Sequence, residues 1–239
     1  MKAFKTIYER AASRKGGEEN LRSLLATVKG NDAVAKLADD RVLSVISERV
    51  FAAGFVWRVI AEKWPDFEEA FLGFEPRRLL FQPEDFWHDL VSDRRIVRNP
   101  QKIRAVRENA AFVERVSKEH GGFGKFLAGW PKDDQVGLMA FLGKGGSRLG
   151  GNTGQYVLRW LGWDGFVISH DVVLALRDAG LEIGENPASR KDLAAIQMQM
   201  NIWVAETGLP YTHLSRILSL SIGENYDLER LKARMGGGE

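Results

Sequence analysis

The chain has 239 residues, 44% of them hydrophobic and 28% charged, with a formal net charge of +2. That is ample apolar material for a large core under a soluble surface, and no apolar run reaches the ~18 residues of a membrane-spanning helix. There is no cysteine, which excludes disulfides, thiolate catalysis and cysteine-based metal sites, and histidines 88, 120, 170 and 213 are too scattered for a His-only metal cluster.

From the N-terminus, Met1–Arg10 is amphipathic and lacks the apolar core of a signal segment, so it reads as a first helix of a cytoplasmic chain. Helical periodicity then predicts helices over 2–14, 17–28, 31–37, 39–63, 65–72, 83–91, 100–119, 122–129, 133–144, 152–163, 170–179, 188–206 and 211–220. Asn31, Asp39 and Ser189 are expected N-caps, and Gly121-Gly122, Gly180 and Gly208 expected stops. The best strand candidate, Phe166-Val167-Ile168, is too short to matter. Gly236-Gly237-Gly238-Glu239 reads as a frayed tail. The fold class is therefore all-α, a single domain over 1–239 with two helical lobes. One lobe spans about 45–165, the other joins 1–44 to 166–239, and a cleft between them is the expected place for a ligand.

The most informative stretch is 143–173. A helical pattern ends near Leu142, a turn follows at Leu149-Gly150-Gly151-Asn152-Thr153-Gly154, and a second helix starts at once with Tyr156, Val157, Trp160 and Leu161 on one face. Such a turn aims backbone N–H groups at an anion, and its glycines admit a phosphate. This is the logic of a helix-hairpin-helix, which holds a DNA backbone without reading bases. Ser169-His170-Asp171 then opens the next helix. Basic residues flank the turn: Arg94, Arg95, Arg98, Lys102, Arg104 and Arg107 on one side, Lys144, Arg148 and Arg159 on the other. A solvated basic face is the plain reading of either group; together, around a phosphate grip, they point to nucleic acid.

Two further blocks carry a family resemblance. Arg95-Ile96-Val97-Arg98-Asn99-Pro100-Gln101-Lys102-Ile103-Arg104-Ala105, continuing to Asn109-Ala110, resembles the "I-I-R-x-x-x-K-I-x-A-x-x-x-N-A" segment of DNA-3-methyladenine glycosylase I. Phe51-Ala52-Ala53-Gly54-Phe55-Val56-Trp57, with Phe67, Phe71, Phe74 and Pro76 downstream, resembles its "Q-A-G-L-S-W…F-x-x-F-x-P". The order and spacing of all three blocks agree over roughly residues 40–180. The resemblance implies a two-lobed helix-hairpin-helix DNA glycosylase fold and, as function, hydrolysis of the N-glycosidic bond of alkylated purines, chiefly N3-methyladenine, after base flipping. The expected partner is double-stranded DNA containing alkylated bases, and the expected state is a monomer.

The resemblance also nominates residues. Trp57 falls at the pocket tryptophan, with Phe51 and Tyr8 as further wall candidates, although Phe51 reads equally as core and Tyr8 as part of an amphipathic helix. DNA contacts are expected from Gly150, Gly151, Asn152, Thr153, Gly154, Arg98, Lys102 and Arg148. The family's catalytic Glu lies eight residues before the tryptophan of its G-x-x-W block; that position is Arg49, and Glu48 is one place off, a rotation of about 100° on a helix. The wider superfamily places an Asp where this chain has Ser169, with Asp171 the nearest carboxylate. Glu48 and Asp171 are thus both catalytic candidates. The family's structural zinc cannot form without cysteine, so no cofactor is expected beyond a monovalent cation that hairpin carbonyls could hold. Two alternatives stand beside this reading: a non-catalytic helix-hairpin-helix protein binding damaged or distorted DNA, and a glycosylase for oxidised purines, which Lys144, before the turn rather than within it, makes a poor fit.

Overall fold

Fifteen α-helices and one 3-10 turn organise residues 1–236, the part of the chain that the computed structural model describes, and none of these residues lies in a strand. In chain order they are α1 Phe4–Arg14, α2 Glu18–Ser23, α3 Asn31–Ala35, α4 Asp39–Ala52, α5 Trp57–Ala70, the 3-10 turn Leu72–Phe74, α6 Pro76–Leu80, α7 Glu84–Ser92, α8 Pro100–His120, α9 Phe123–Gly129, α10 Gln135–Gly145, α11 Asn152–Leu161, α12 His170–Asp178, α13 Arg190–Thr207, α14 Tyr211–Ser221 and α15 Leu228–Gly236. The all-α expectation holds. They divide into two units, 1–28 with 131–137 and 164–239, and 29–130 with 138–163. Most of the predicted glycine tail, 237–239, lies outside the described residues, while Gly236 ends α15.

The unit built from 29–130 and 138–163 is organised around α4 and α8. Along α4, Val42, Leu43, Ile46, Val50 and Phe51 recur at helical spacing, and all are buried. Phe51 meets Phe67 of α5 edge-on at 4.7 Å, and Trp64 stacks on Phe67 and Phe74 at 4.9 and 5.2 Å. Helix α8 starts and stops by local chemistry: the Asn99 side chain accepts from the Lys102 amide at 3.1 Å, Pro100 fills the first turn, and Gly121 closes it in the left-handed region. Its inner face, Ile103, Val106, Ala110, Val113 and Val116, is buried.

The other unit packs α1 on α14 and α14 on α12. Phe4 lies 5.3 Å from the Trp203 ring, and Asp178 accepts from Lys2 and Arg10 at 3.1 and 2.6 Å. The buried 166–168 segment lies in no strand; Gln135 bonds both the amide and the carbonyl of Phe166 at 2.6 Å. Asp164 accepts from the Tyr211 and Thr212 amides at 3.3 and 3.0 Å and so caps α14.

Several expectations need correction. The helix predicted over 39–63 is two helices, parted at 53–56 where Gly54 takes a φ of 77°, and α5 runs on through the boundary expected between 63 and 65. Ser189 is the N-cap of α13, but Gly30 and Ala38, not Asn31 and Asp39, occupy the caps of α3 and α4. Asp39 instead accepts from the Phe123 amide at 3.0 Å, at the start of α9. Helices α6 and α15 were not expected.

Candidate DNA-binding and catalytic site

The turn expected of a hairpin lies in the loop 146–151, between α10 and α11. Leu149 is buried beneath the turn, while Gly150, Gly151 and Asn152 are exposed, Thr153 is half-buried and Gly154 is buried. Gly154 is fixed by space: a Cβ there would fall 2.4 Å from the Leu149 carbonyl oxygen. The N-cap of α11 is Gly151, which offers no side chain to the first-turn amides, so the positive end of the helix faces outward without a built-in acceptor. The loop is tied from α8. Buried Asn109 accepts from the Ser147 amide at 2.7 Å and donates to the Ser147 carbonyl at 3.0 Å.

The basic residues divide by environment. Arg95 pairs with Asp93 and Glu69, Arg104 with Glu108, and Arg107 with Glu84 at 2.6 Å. Arg94 and Arg98 are exposed just before α8. Arg148 is exposed on the hairpin and donates to Gln101 at 2.6 Å, so the hairpin and the first turn of α8 share a surface. Lys102, expected to contact DNA, is corrected: it is 6% exposed, and its Nζ donates to the Phe51 and Ala53 carbonyls at 3.0 and 2.6 Å. It is therefore a cap for the end of α4, with the Phe55 ring 4.5 Å above the ammonium. Burial, then the charge of Arg148, push this ammonium below its ordinary pKa.

The connection held by Lys102 carries the pocket candidates. Trp57 opens α5 and is half-buried, while Phe55 and Val56 beside it are 47% and 65% exposed. Phe51 is fully buried in the aromatic cluster, so it is core and has no face free for a base. Tyr8 lies on α1, in the other unit, with its hydroxyl donating to Glu18 at 2.9 Å.

Of the two carboxylates, Glu48 is on α4 with 13% of its side chain exposed. Burial raises its pKa above the ordinary carboxylate value; Arg49 pulls it down and Glu68 adds to the rise. Arg49, at the register the resemblance assigns to the acid, is itself buried, 3.6 Å from Glu48 and 3.7 Å over the Trp160 ring of α11. Asp171 is in the first turn of α12, where the cap is Ser169, whose hydroxyl accepts from the Val172 amide at 3.4 Å. Its carboxylate packs so closely on Gly223 that a Cβ there would lie 2.6 Å away. Asp171 belongs to the other unit, so the hairpin, Trp57 and Glu48 share one unit that Tyr8 and Asp171 do not. Sequence reasoning named Arg49 and Trp160 without bringing them together, and it did not find the hold of Asn109 on the loop; the helical spacing of positions 48 and 49 was the available signal.

The residues present do not fit the structural zinc that the resemblance implies. The chain has no cysteine, and among the described residues no three His, Asp or Glu are grouped to hold a metal. A cleft of about 480 Å³ lined by Trp87, Pro100, Ile103, Arg104 and Arg107, and another of about 480 Å³ lined by Asp40, Pro76, Arg77 and Ser117, contain none of the nominated residues.

Among solved structures, the chain is similar to a 3-methyladenine DNA glycosylase I in complex with 3-methyladenine, at 21% identity over 52% of this chain and 77% of that one, with a TM-score of 0.47. It is also similar to 3-methyladenine DNA glycosylase I from Staphylococcus aureus, at 23% identity over 53% of this chain and 77% of that one, with the same TM-score of 0.47. Residues 33–138 match the methyladenine glycosylase family model, and this segment contains Glu48, Trp57, Lys102 and Asn109.

Proposed function

We propose that the protein is a DNA glycosylase that hydrolyses the N-glycosidic bond of alkylated purines, chiefly N3-methyladenine, in base-excision repair. The observation that carries this reading is Glu48: a carboxylate almost removed from water, on a helix joined to the hairpin helix through Arg49 and Trp160. Cleavage makes the deoxyribose oxocarbenium-like, and one preorganised carboxylate beside C1′ stabilises that charge and orients water. N3-methyladenine is already cationic and leaves without a strong general acid. Trp57 supplies an aromatic face for the electron-poor base. The exposed Phe55 and Val56 suit the gap that a flipped base leaves in the stack, since apolar side chains wedge between base steps.

The backbone grip in this reading is Gly150–Gly154 at the N-terminus of α11, with Arg98 and Arg148 beside it. A monovalent cation held by hairpin carbonyls is compatible with it and is not required. The protein acts as a cytoplasmic monomer on double-stranded DNA. Among the described residues, no helix is long and apolar enough to cross a membrane.

The test is incubation of methylated duplex DNA with purified protein, then chromatography of released bases. Release of 3-methyladenine by the unaltered protein, with Glu48→Gln slower by on the order of 10²–10³ under single-turnover conditions, supports the reading. A second reading, a non-catalytic protein for damaged DNA, is favoured by Arg49 standing at the acid's register. It prevails if the unaltered protein binds this DNA and releases nothing. Loss of rate in Asp171→Asn but not in Glu48→Gln would move the reacting carboxylate to α12.

A further inference from the structure

We propose that Arg49 is a positioning residue for the Glu48 carboxylate, its buried guanidinium clamping that side chain to the hairpin helix α11 by an ion pair on one side and an indole face on the other. Its consequence for rate rests on the glycosylase reading; the clamp itself does not.

The clamp joins two elements that sequence places over a hundred residues apart. Arg49 is 8% exposed and Glu48 13%, with Nη2 and Oε1 3.6 Å apart. The guanidinium carbon lies 3.7 Å from the centroid of Trp160, which α11 supplies. A planar, delocalised cation can stack on an indole and pair with a carboxylate at once, which an ammonium cannot do equally well. Two near-buried charges of opposite sign hold each other ionised where either alone would be strongly disfavoured. The titratable groups acting on the pair from neighbouring helices are Glu68 of α5, which raises the Glu48 pKa, and Tyr156 of α11, which acts on Arg49. Lys102 of α8 is engaged by the Phe51 and Ala53 carbonyls. Among the described residues, Arg49 is the cation that acts on Glu48 against burial. Because its platform is on α11, a shift of the hairpin helix reaches Glu48 through Trp160 and Arg49.

The experiment is a carboxyl-carbon NMR titration of Glu48 in the full-length protein, alongside the pH profile of single-turnover excision. Arg49→Met should raise the Glu48 midpoint by about 1–3 pH units, and the acid limb of the rate profile should move up with it. Arg49→Lys should restore part of the midpoint. Trp160→Leu keeps the charge but removes the platform, and should raise the midpoint by less than Arg49→Met does. A merely structural arginine would lower the rate at every pH and leave the midpoint in place, and that result overturns the proposal. If Arg49→Met does not fold, Trp160→Leu and Arg49→Lys decide it: a midpoint unchanged in both overturns it equally. Should the unaltered protein excise nothing, the glycosylase reading fails while the titration still judges the clamp.

Discussion

Replacing Asn109 by alanine tests whether α8 holds the hairpin in shape. The side chain makes two hydrogen bonds to one residue, accepting from the Ser147 amide at 2.7 Å and donating to its carbonyl at 3.0 Å, and it is fully buried. Each such bond contributes about 1 kcal/mol net, more when the partner is left dry. Ser147 is half-buried, so water can re-satisfy part of what is lost, and the cost comes to about 2 kcal/mol. That energy favours local opening of the loop by about 30-fold. Amide hydrogen exchange reads it directly: the Ser147 amide should exchange about 30-fold faster in Asn109→Ala, while amides in the middle of α14 keep their protection. Affinity for duplex DNA at low salt should fall as well. Exchange at Ser147 within threefold of the unaltered protein would refute the reasoning and leave Asn109 as filler.

Three more predictions separate roles that sequence alone confounds. Phe51→Ala should cost about 3–5 kcal/mol of stability as a core cavity, whereas Trp57→Ala should melt nearly normally and lose roughly 1–3 kcal/mol of base stacking, read as weakened binding of DNA carrying a methylated base. Arg98→Gln with Arg148→Gln should reduce the slope of log affinity against log salt by about 0.9 for each phosphate contact removed; an unchanged slope would leave both as solvated surface. Because the folded-state pKa of Glu48 is raised, the folded chain binds that proton more tightly than the unfolded one, so stability falls as pH rises from the unfolded value through the folded one. Glu48→Gln leaves Arg49 without its counter-charge and so costs stability at every pH, but it should remove the Glu48 part of the fall in melting temperature between about pH 4 and pH 7; an unchanged fall would contradict the burial argument.

Local chemistry was the legible part of this chain. The hairpin turn, the limits of α8 and the cap of α13 each depend on a few neighbouring residues, and each is found where Gly151, Asn99, Gly121 and Ser189 put it. The misread parts depend on distant partners. Helical periodicity ran on through 39–63, yet the chain breaks at 53–56, where Lys102 of α8 gathers the loose carbonyls. Asp39 has the composition of a cap for its own helix and instead caps α9, 84 positions away. Lys102 lies in a run of cations and so suggests DNA, but its neighbours in space are carbonyls, and periodicity does not reveal what a long side chain reaches. Five-residue α6 is too short for any periodic signal.

The order of synthesis on the ribosome gives the closure of α1 on α14 a further meaning. Arg14 donates to the Leu220 carbonyl, 206 positions later, so at ~5–20 residues per second the first helix is exposed for about 10–40 s before its cover exists. Phe4, Ile7 and Ala11, all buried in the finished fold, spend that interval as a naked sticky stripe, while the segment ending at Trp163 has every residue it needs to close. A premature stop between 164 and 189, before α13 and α14 are made, would therefore release a chain with one finished unit and a permanently uncovered greasy N-terminus, a natural client for holdase chaperones and a seed for aggregates.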